Sequence, residues 1–208
     1  MTDCTKEAHR LDILHSAIAE FGKHGYAAAS TNEIVKKAGV SKGLLFHHFG
    51  SKEALYTACQ LYVLEQYGAY MKENKDLSGS DLFERILSNL RIKMEFGFKN
   101  PALWDFINRA WTLEDGESLM NNTEAKEYVL NAMQAQASFF FEGIDSSLFR
   151  ESYDIAKIMK YTQTMLEAHW KQFSYSYQND MDAIIGNMDT YFQEAEEIVD
   201  LFRNGAYR

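Results

Sequence analysis

Residues 30–55 constrain what this chain can fold into more than any other stretch of its 208 residues. They read Ser30-Thr31-Asn32-Glu33-Ile34-Val35-Lys36-Lys37-Ala38-Gly39-Val40-Ser41-Lys42-Gly43-Leu44-Leu45-Phe46-His47-His48-Phe49-Gly50-Ser51-Lys52-Glu53-Ala54-Leu55. Ser30 or Thr31 is placed to cap a first short helix, with Ile34, Val35 and Ala38 as its apolar face. Gly39 suits the left-handed position that ends a helix, after which Val40 turns inward. Ser41 is placed to cap a second short helix, whose Leu45 and Phe49 share one side. Ser51-Lys52-Glu53-Ala54 opens a third. Two helices joined by a short glycine turn are the helix-turn-helix arrangement, whose second helix enters a DNA major groove.

The run Val40-Ser41-Lys42-Gly43-Leu44-Leu45-Phe46-His47-His48-Phe49-Gly50-Ser51-Lys52-Glu53-Ala54-Leu55 resembles the signature of the tetracycline-repressor (TetR) family of bacterial transcriptional regulators. That family tends toward Val-Ser-x-Gly-x-Leu-Tyr-x-Tyr-Phe-x-Ser-Lys-Glu-x-Leu. Here Phe46 replaces the first tyrosine and loses a hydroxyl, and His48 replaces the second but keeps a polar tip. Leu44 stands where a small or polar residue is common, and suits contact with a thymine methyl. The match covers roughly the first 55 residues; beyond them the likeness is architectural.

An all-α chain is expected throughout. Pro101 is the only proline, and glycine gathers at apparent joints. With 46% hydrophobic and 14% aromatic residues the chain has the material for a sizeable core. Leu11, Leu14, Ile18 and Phe21 set a first amphipathic helix over about Lys6 to Lys23, closed by Gly22 and Gly25. The helix opened at Lys52 runs to about Lys72. Helices follow over about Asp81 to Phe98, Ala102 to Trp111, Thr123 to Glu142 and Ser152 to Tyr175. A last one, about Asp180 to Arg203, is ended by Asn204-Gly205. That makes about nine helices: a three-helix helix-turn-helix DNA-binding domain over 1–51, and a helical bundle for ligand binding and dimerisation over 52–208.

A net charge of −9 opposes DNA binding at first sight, but its distribution does not. Residues 1–60 hold seven Lys/Arg and six Asp/Glu, whereas 61–208 hold fourteen and twenty-four. DNA affinity follows local phosphate contacts rather than the global sum. A head of net +1 implies that two copies bind together. Cys4 and Cys59 follow no pattern and fit a reducing compartment. With no signal peptide and no span of about eighteen apolar residues, the expected location is the cytoplasm.

Within the head, Lys42, Gly43, Leu44 and His47 are the expected base readers, at the start or on the outward face of the second helix. Gly43 permits close approach of backbone to DNA. Thr31, Ser41, Phe46, His48 and Lys52 are placed for the DNA backbone. The His47-His48 pair makes a poor metal site, since adjacent helix positions diverge by about 100°; no metal or cofactor is expected. In the bundle, Trp104, Phe106, Arg109, Trp111, Met165, His169 and Phe173 combine rings with polar groups. Most of these rings read as core, yet together they also fit an effector pocket, which the family resemblance implies. Arg109 would suit an anionic group, and the rings alone a flat or cationic molecule.

The resemblance implies a homodimer through the last two helices, a near-palindromic double-stranded DNA operator and a small-molecule effector. The apolar seam Met181, Ile184, Ile185, Met188, Phe192, Ala195, Val199 and Phe202 equally fits internal packing. No enzyme motif is present: no Gly-x-Ser-x-Gly elbow, phosphate-cradling glycine loop or His-Glu-x-x-His. A ligand-independent DNA-organising protein, an activator with the same head, and a helical enzyme or scaffold without a DNA role are the competing readings.

Overall fold

The computed structural model describes residues 3–75, 79–110, 123, 126–127, 131, 141–177 and 180–207, without the side chains of 3–5, 110 and 181. Trp111 and most of the helix expected over 123–142 lie outside the described residues. Nine α-helices are found among those described. They are α1 (Asp3–Ala28), α2 (Thr31–Ala38), α3 (Lys42–Phe49), α4 (Lys52–Asn74), α5 (Leu82–Lys99), α6 (Pro101–Ala110), α7 (Ile155–Ser176), α8 (Met181–Gly186) and α9 (Met188–Ala206). Ser146–Leu148 form a 3-10 turn. By contacts the chain divides into two compact units, residues 1–73 with 95–135, and residues 74–94 with 136–208.

The first unit is built on α1. Its buried stripe, Ile13, Leu14, Ala17, Ile18 and Phe21, meets Ile34 of α2, Leu45 of α3 and Leu55, Tyr56, Cys59 and Val63 of α4. Gly25, at φ 74° and ψ 168°, breaks the helical path and turns the chain toward α2. Removing a side chain as enclosed as Ile34 or Leu45 would cost about 2–5 kcal/mol. Burial in this core also pushes the Cys59 thiol far above its ordinary range, so it is not a reactive thiolate.

α6 belongs to this unit. Pro101 takes its first position, and Phe106 is buried in the core beneath the helix-turn-helix. Two glycines let it approach closely. A Cβ on Gly22 of α1 would lie 3.1 Å from the Phe106 amide nitrogen, and one on Gly97 of α5 would lie 2.8 Å from Trp104 Cδ2.

In the second unit α7 packs along α9, burying Ile158, Leu166 and Phe173 against Tyr191, Ala195 and Val199. Asp81 caps α5 through the amides of Phe83 and Glu84, and Asp154 caps α7 through those of Ala156 and Lys157. The buried Arg85 donates to the carbonyls of Glu142 and Gly79. At the C-terminus Tyr207 bridges to Phe149, and Arg203 joins Asp81, Glu84 and Asp200.

Two sequence expectations need correction here. The helix expected over 180–203 is interrupted at Asn187, whose side-chain amide donates to the Ala183 carbonyl at 2.8 Å. With the poor helix former Gly186 beside it, that local bond competes with the helical ladder, so α8 and α9 are separate. Nor does Asn204-Gly205 end the last helix, which continues to Ala206.

Candidate nucleic-acid interface

The geometry of α2, α3 and the start of α4 follows from five short-range devices. Ser30 caps α2, its Oγ accepting from the Glu33 amide. Gly39 takes the left-handed conformation at φ 67° and ψ 26°, and the Val40 amide closes the turn on the Val35 carbonyl at 3.0 Å. Ser41 caps α3 through the Leu44 amide at 3.2 Å, and Ser51 caps α4 through the Ala54 amide at 3.0 Å. A second positive φ at Gly50, 76°, makes the sharp exit from α3 into α4.

These devices decide which side chains face outward. Leu45 is fully enclosed, and Val40 and Phe49 pack partly against the same core. Ser41, Lys42, Gly43, Phe46 and His47 are exposed, and Leu44 and His48 are partly so. Gly43 is informative. A Cβ there would meet nothing nearer than Ser41 Oγ at 3.9 Å, so internal packing does not require glycine. Its bare backbone lies open to whatever the face of α3 meets. Lys42 Nζ donates to Asn32 Oδ1 at 3.0 Å, linking the first turns of α3 and α2. Thr31 occupies the first position of α2.

Lys52 carries a structural duty that the sequence reading did not assign. Lys52 donates to the Ala27 carbonyl at 3.3 Å and lies 5.0 Å from the Tyr26 ring centroid. An ammonium has three donors, so others remain for a phosphate. His48 Nε2 is enclosed and unpaired among the described residues. Burial, and then the charges of His47, Arg10 and His9, hold its pKa below the usual imidazole value, with Glu7 opposing.

Glu20 was missed altogether. Its side chain is almost fully buried, accepting from the Ser30 amide at 3.2 Å and Lys37 Nζ at 2.8 Å. The signal was present: Glu20 stands three and seven residues after Ala17 and Ile13, on the buried face of α1.

The described effector candidates are divided between the two units. Trp104, Phe106 and Arg109 belong to the first unit, and Met165, His169 and Phe173 to the second. Trp104 packs over Gly97, and Phe106 lies in the head core, 5.4 Å from the Tyr56 ring. Arg109 Nε donates to the Gly22 carbonyl at 2.9 Å and its Nη2 to the Lys23 carbonyl at 3.2 Å, tying α6 to the end of α1. His169 stacks on Tyr191 at 5.2 Å with its Nε2 3.3 Å from Glu194, and Phe173 packs on the same ring. Met165 is 49% exposed on the outer side of α7.

Among the described residues no group of three or more His, Cys, Asp or Glu could hold a metal ion, and no helix is long and apolar enough to cross a membrane.

The chain is similar to known transcriptional regulators over part of its length. Over 54 residues the chain is 46% identical to the HTH-type transcriptional regulatory protein RaaS of Mycobacterium tuberculosis, covering 26% of this chain and 25% of that one. Over 118 residues it is 38% identical to the HTH-type transcriptional regulator YerO of Bacillus subtilis, covering 56% of this chain and 38% of that one. The matches thus span well under half of these relatives' own length. The crystal structure of the transcriptional regulator FadR from Bacillus subtilis, in complex with stearoyl-CoA, superimposes with a TM-score of 0.62 at 16% identity, covering 94% of this chain and 98% of that one. That likeness speaks for the fold alone. The family model for bacterial regulatory proteins of the tetR family matches residues 13–59, which run from the buried stripe of α1 through both capped helices into α4. By this match and the geometry it covers, residues 13–59 form a helix-turn-helix head of the tetR type.

Proposed function

We propose that this protein is a homodimeric, ligand-responsive transcriptional regulator, a repressor that a small molecule releases from a near-palindromic operator. The observation that carries the reading is α3. It is capped at Ser41, held by Leu45, and presents Lys42, Gly43, Phe46 and His47 outward. Such a helix enters a major groove with its N-terminal residues against base edges. Lys42, Gly43, Leu44 and His47 are the proposed base readers; Thr31, Ser41, Phe46, His48 and Lys52 contact the DNA backbone.

Dimerisation through the last two helices has its own support. Tyr161 and Met165 of α7 are 56% and 49% exposed, and Leu201 of α9 is 76% exposed. Large apolar side chains on the outer faces of two packed helices suit a second copy of the chain. A twofold dimer sets two α3 helices in successive grooves, hence the near-palindrome.

Release follows from differential affinity for two states. Both α4, which begins directly after α3, and α6, tied to α1 through Arg109, share the compact unit of the head. A ligand that displaces either helix changes the presentation of α3. The stearoyl-CoA bound by the FadR of Bacillus subtilis is a precedent for a small-molecule complex on this fold.

The test is selection of binding sites from random duplex DNA by the purified chain at near-physiological salt. A consensus with inverted half-sites about one helical turn apart is expected. Binding without any consensus would sink the operator reading and favour a DNA-organising role.

A further inference from the structure

Gln60 lies on α4, in the unit that carries the helix-turn-helix. Its side chain is 1% exposed, and neither Nε2 nor Oε1 has a hydrogen-bond partner among the described residues. Both ends of the amide are unmet, so exchanging N and O relieves nothing. Enclosed polar groups are normally paired, and leaving an amide unpaired is costly. Cys59, next to it, shows the contrast, as its thiol has the Leu14 carbonyl 4.0 Å away.

The surroundings narrow what could complete the amide. One turn away on α4 stand Tyr56, Thr57, Val63 and Leu64, and no charged residue lies within that span. Tyr56, Val63 and Leu64 are themselves buried. An ionised group brought here would lose its hydration without meeting an opposite charge on this helix face. A neutral partner that offers an acceptor to Nε2 and a donor to Oε1, side by side, satisfies the amide at both ends.

We propose that the Gln60 amide is the polar anchor of a small-molecule site in the first unit, and that its ligand is a neutral molecule with an apolar body and an adjacent carbonyl and N–H, as in a primary amide or a lactam. This rests on the effector reading and gives it a ligand class. It also places the site on the helix that begins where α3 ends, so occupancy and the presentation of α3 share one rigid element. The ligand excludes water from the amide, and its donor and acceptor replace the bonds that Gln60 lacks.

The test uses the full chain with hexanamide, its isostere heptan-2-one and hexanoate, by ligand-observed NMR titration, together with thermal melting. Wild-type protein is expected to bind hexanamide about tenfold more tightly than either comparison molecule. Gln60→Leu and Gln60→Met should lose that preference while melting at the same temperature or higher, because an unmet amide has been removed. Equal binding of the three molecules, or no binding at all, overturns the proposal. A preference that survives in both variants overturns it too. Variants that melt lower with no preference in the wild type would mean that Gln60 holds only a structural water. DNA affinity read in parallel separates the two claims. Hexanamide binding with unchanged DNA affinity would leave the site standing and sink the effector reading; release of DNA by other small molecules without hexanamide binding would sink the site alone.

Discussion

Glu20 of α1 and Lys37 of α2 form an ion pair at 2.8 Å in which the carboxylate is almost wholly buried and the ammonium half exposed. The other carboxylate oxygen accepts the backbone amide of Ser30, the residue that caps α2. One acid therefore binds both ends of α2 to α1. Glu20→Gln should cost about 2 kcal/mol in chemical denaturation, the scale of a hydrogen bond to a charged group. Burial pushes the Glu20 carboxyl up, but the bonds from Lys37 and Ser30, with the Lys37 charge, outweigh it and hold its pKa below 4.5. A carboxylate lowered on folding stabilises fully above its unfolded value and loses that contribution as pH falls through the folded one. The gap between wild type and Glu20→Gln should hence be constant near neutrality and shrink below about pH 4.5. A gap that persists unchanged at pH 3 would refute the assignment.

Gly43→Ala separates folding from DNA contact. The added methyl meets nothing closer than 3.9 Å, and alanine is the better helix former by about 0.5–1 kcal/mol. Melting temperature should rise slightly while operator affinity falls by about tenfold, near 1.4 kcal/mol. Fluorescence anisotropy with the selected operator reads the second effect. Unchanged affinity would remove Gly43 from the interface.

His47→Ala and Lys52→Ala should differ in kind. His47 is exposed on α3, so its loss should relax preference at one or two base pairs, by about 1–3 kcal/mol at each. Lys52→Ala should weaken all duplexes alike and reduce the salt slope by about one. It should also lower stability slightly, since Lys52 holds the Ala27 carbonyl. Repeating the site selection with each variant checks both; intact base preferences in His47→Ala would mean that another residue reads that position.

His48 makes the head sensitive to mild acid. Its pKa is lowered in the fold, mainly by burial, so below the unfolded value of about 6.5 the unfolded chain takes up a proton that the folded chain resists. Stability should decline as pH falls below about 6.5, and level off once the folded imidazole also titrates. His48→Phe should flatten this part of the profile. Parallel profiles for the two proteins between pH 7 and 5 would count against the account.

Gly97→Ala should be the most damaging small substitution in the first unit. The new methyl would lie 2.8 Å from the Trp104 indole, forcing α6 to shift at about 1–3 kcal/mol. If Gly97→Ala melts like wild type, the close approach of α5 and Trp104 is not maintained in solution.

The sequence alone determined the helix-turn-helix, because each of its devices is local. A serine cap, a left-handed glycine and apolar residues one turn apart act within a few residues of themselves, so Ser30, Gly39, Ser41 and Leu45 could be read in order. The all-helical class followed from the same short-range signals. The tertiary structure decided what depends on contacts between distant residues. Phe106 and Arg109 stand near tryptophans in the chain, but that one packs in the head core and the other tethers α6 to Gly22, 87 residues earlier, follows only from the docking of α6 on α1. That Lys52 also holds the Ala27 carbonyl depends on the turn that folds beneath it. Glu20 and Gln60 are ordinary polar letters on helical segments, and neither states whether its partner will arrive. Folding brought Ser30 and Lys37 to the first and enclosed the second without a partner among the described residues, since burial is a property of the assembled helices rather than of any residue in them.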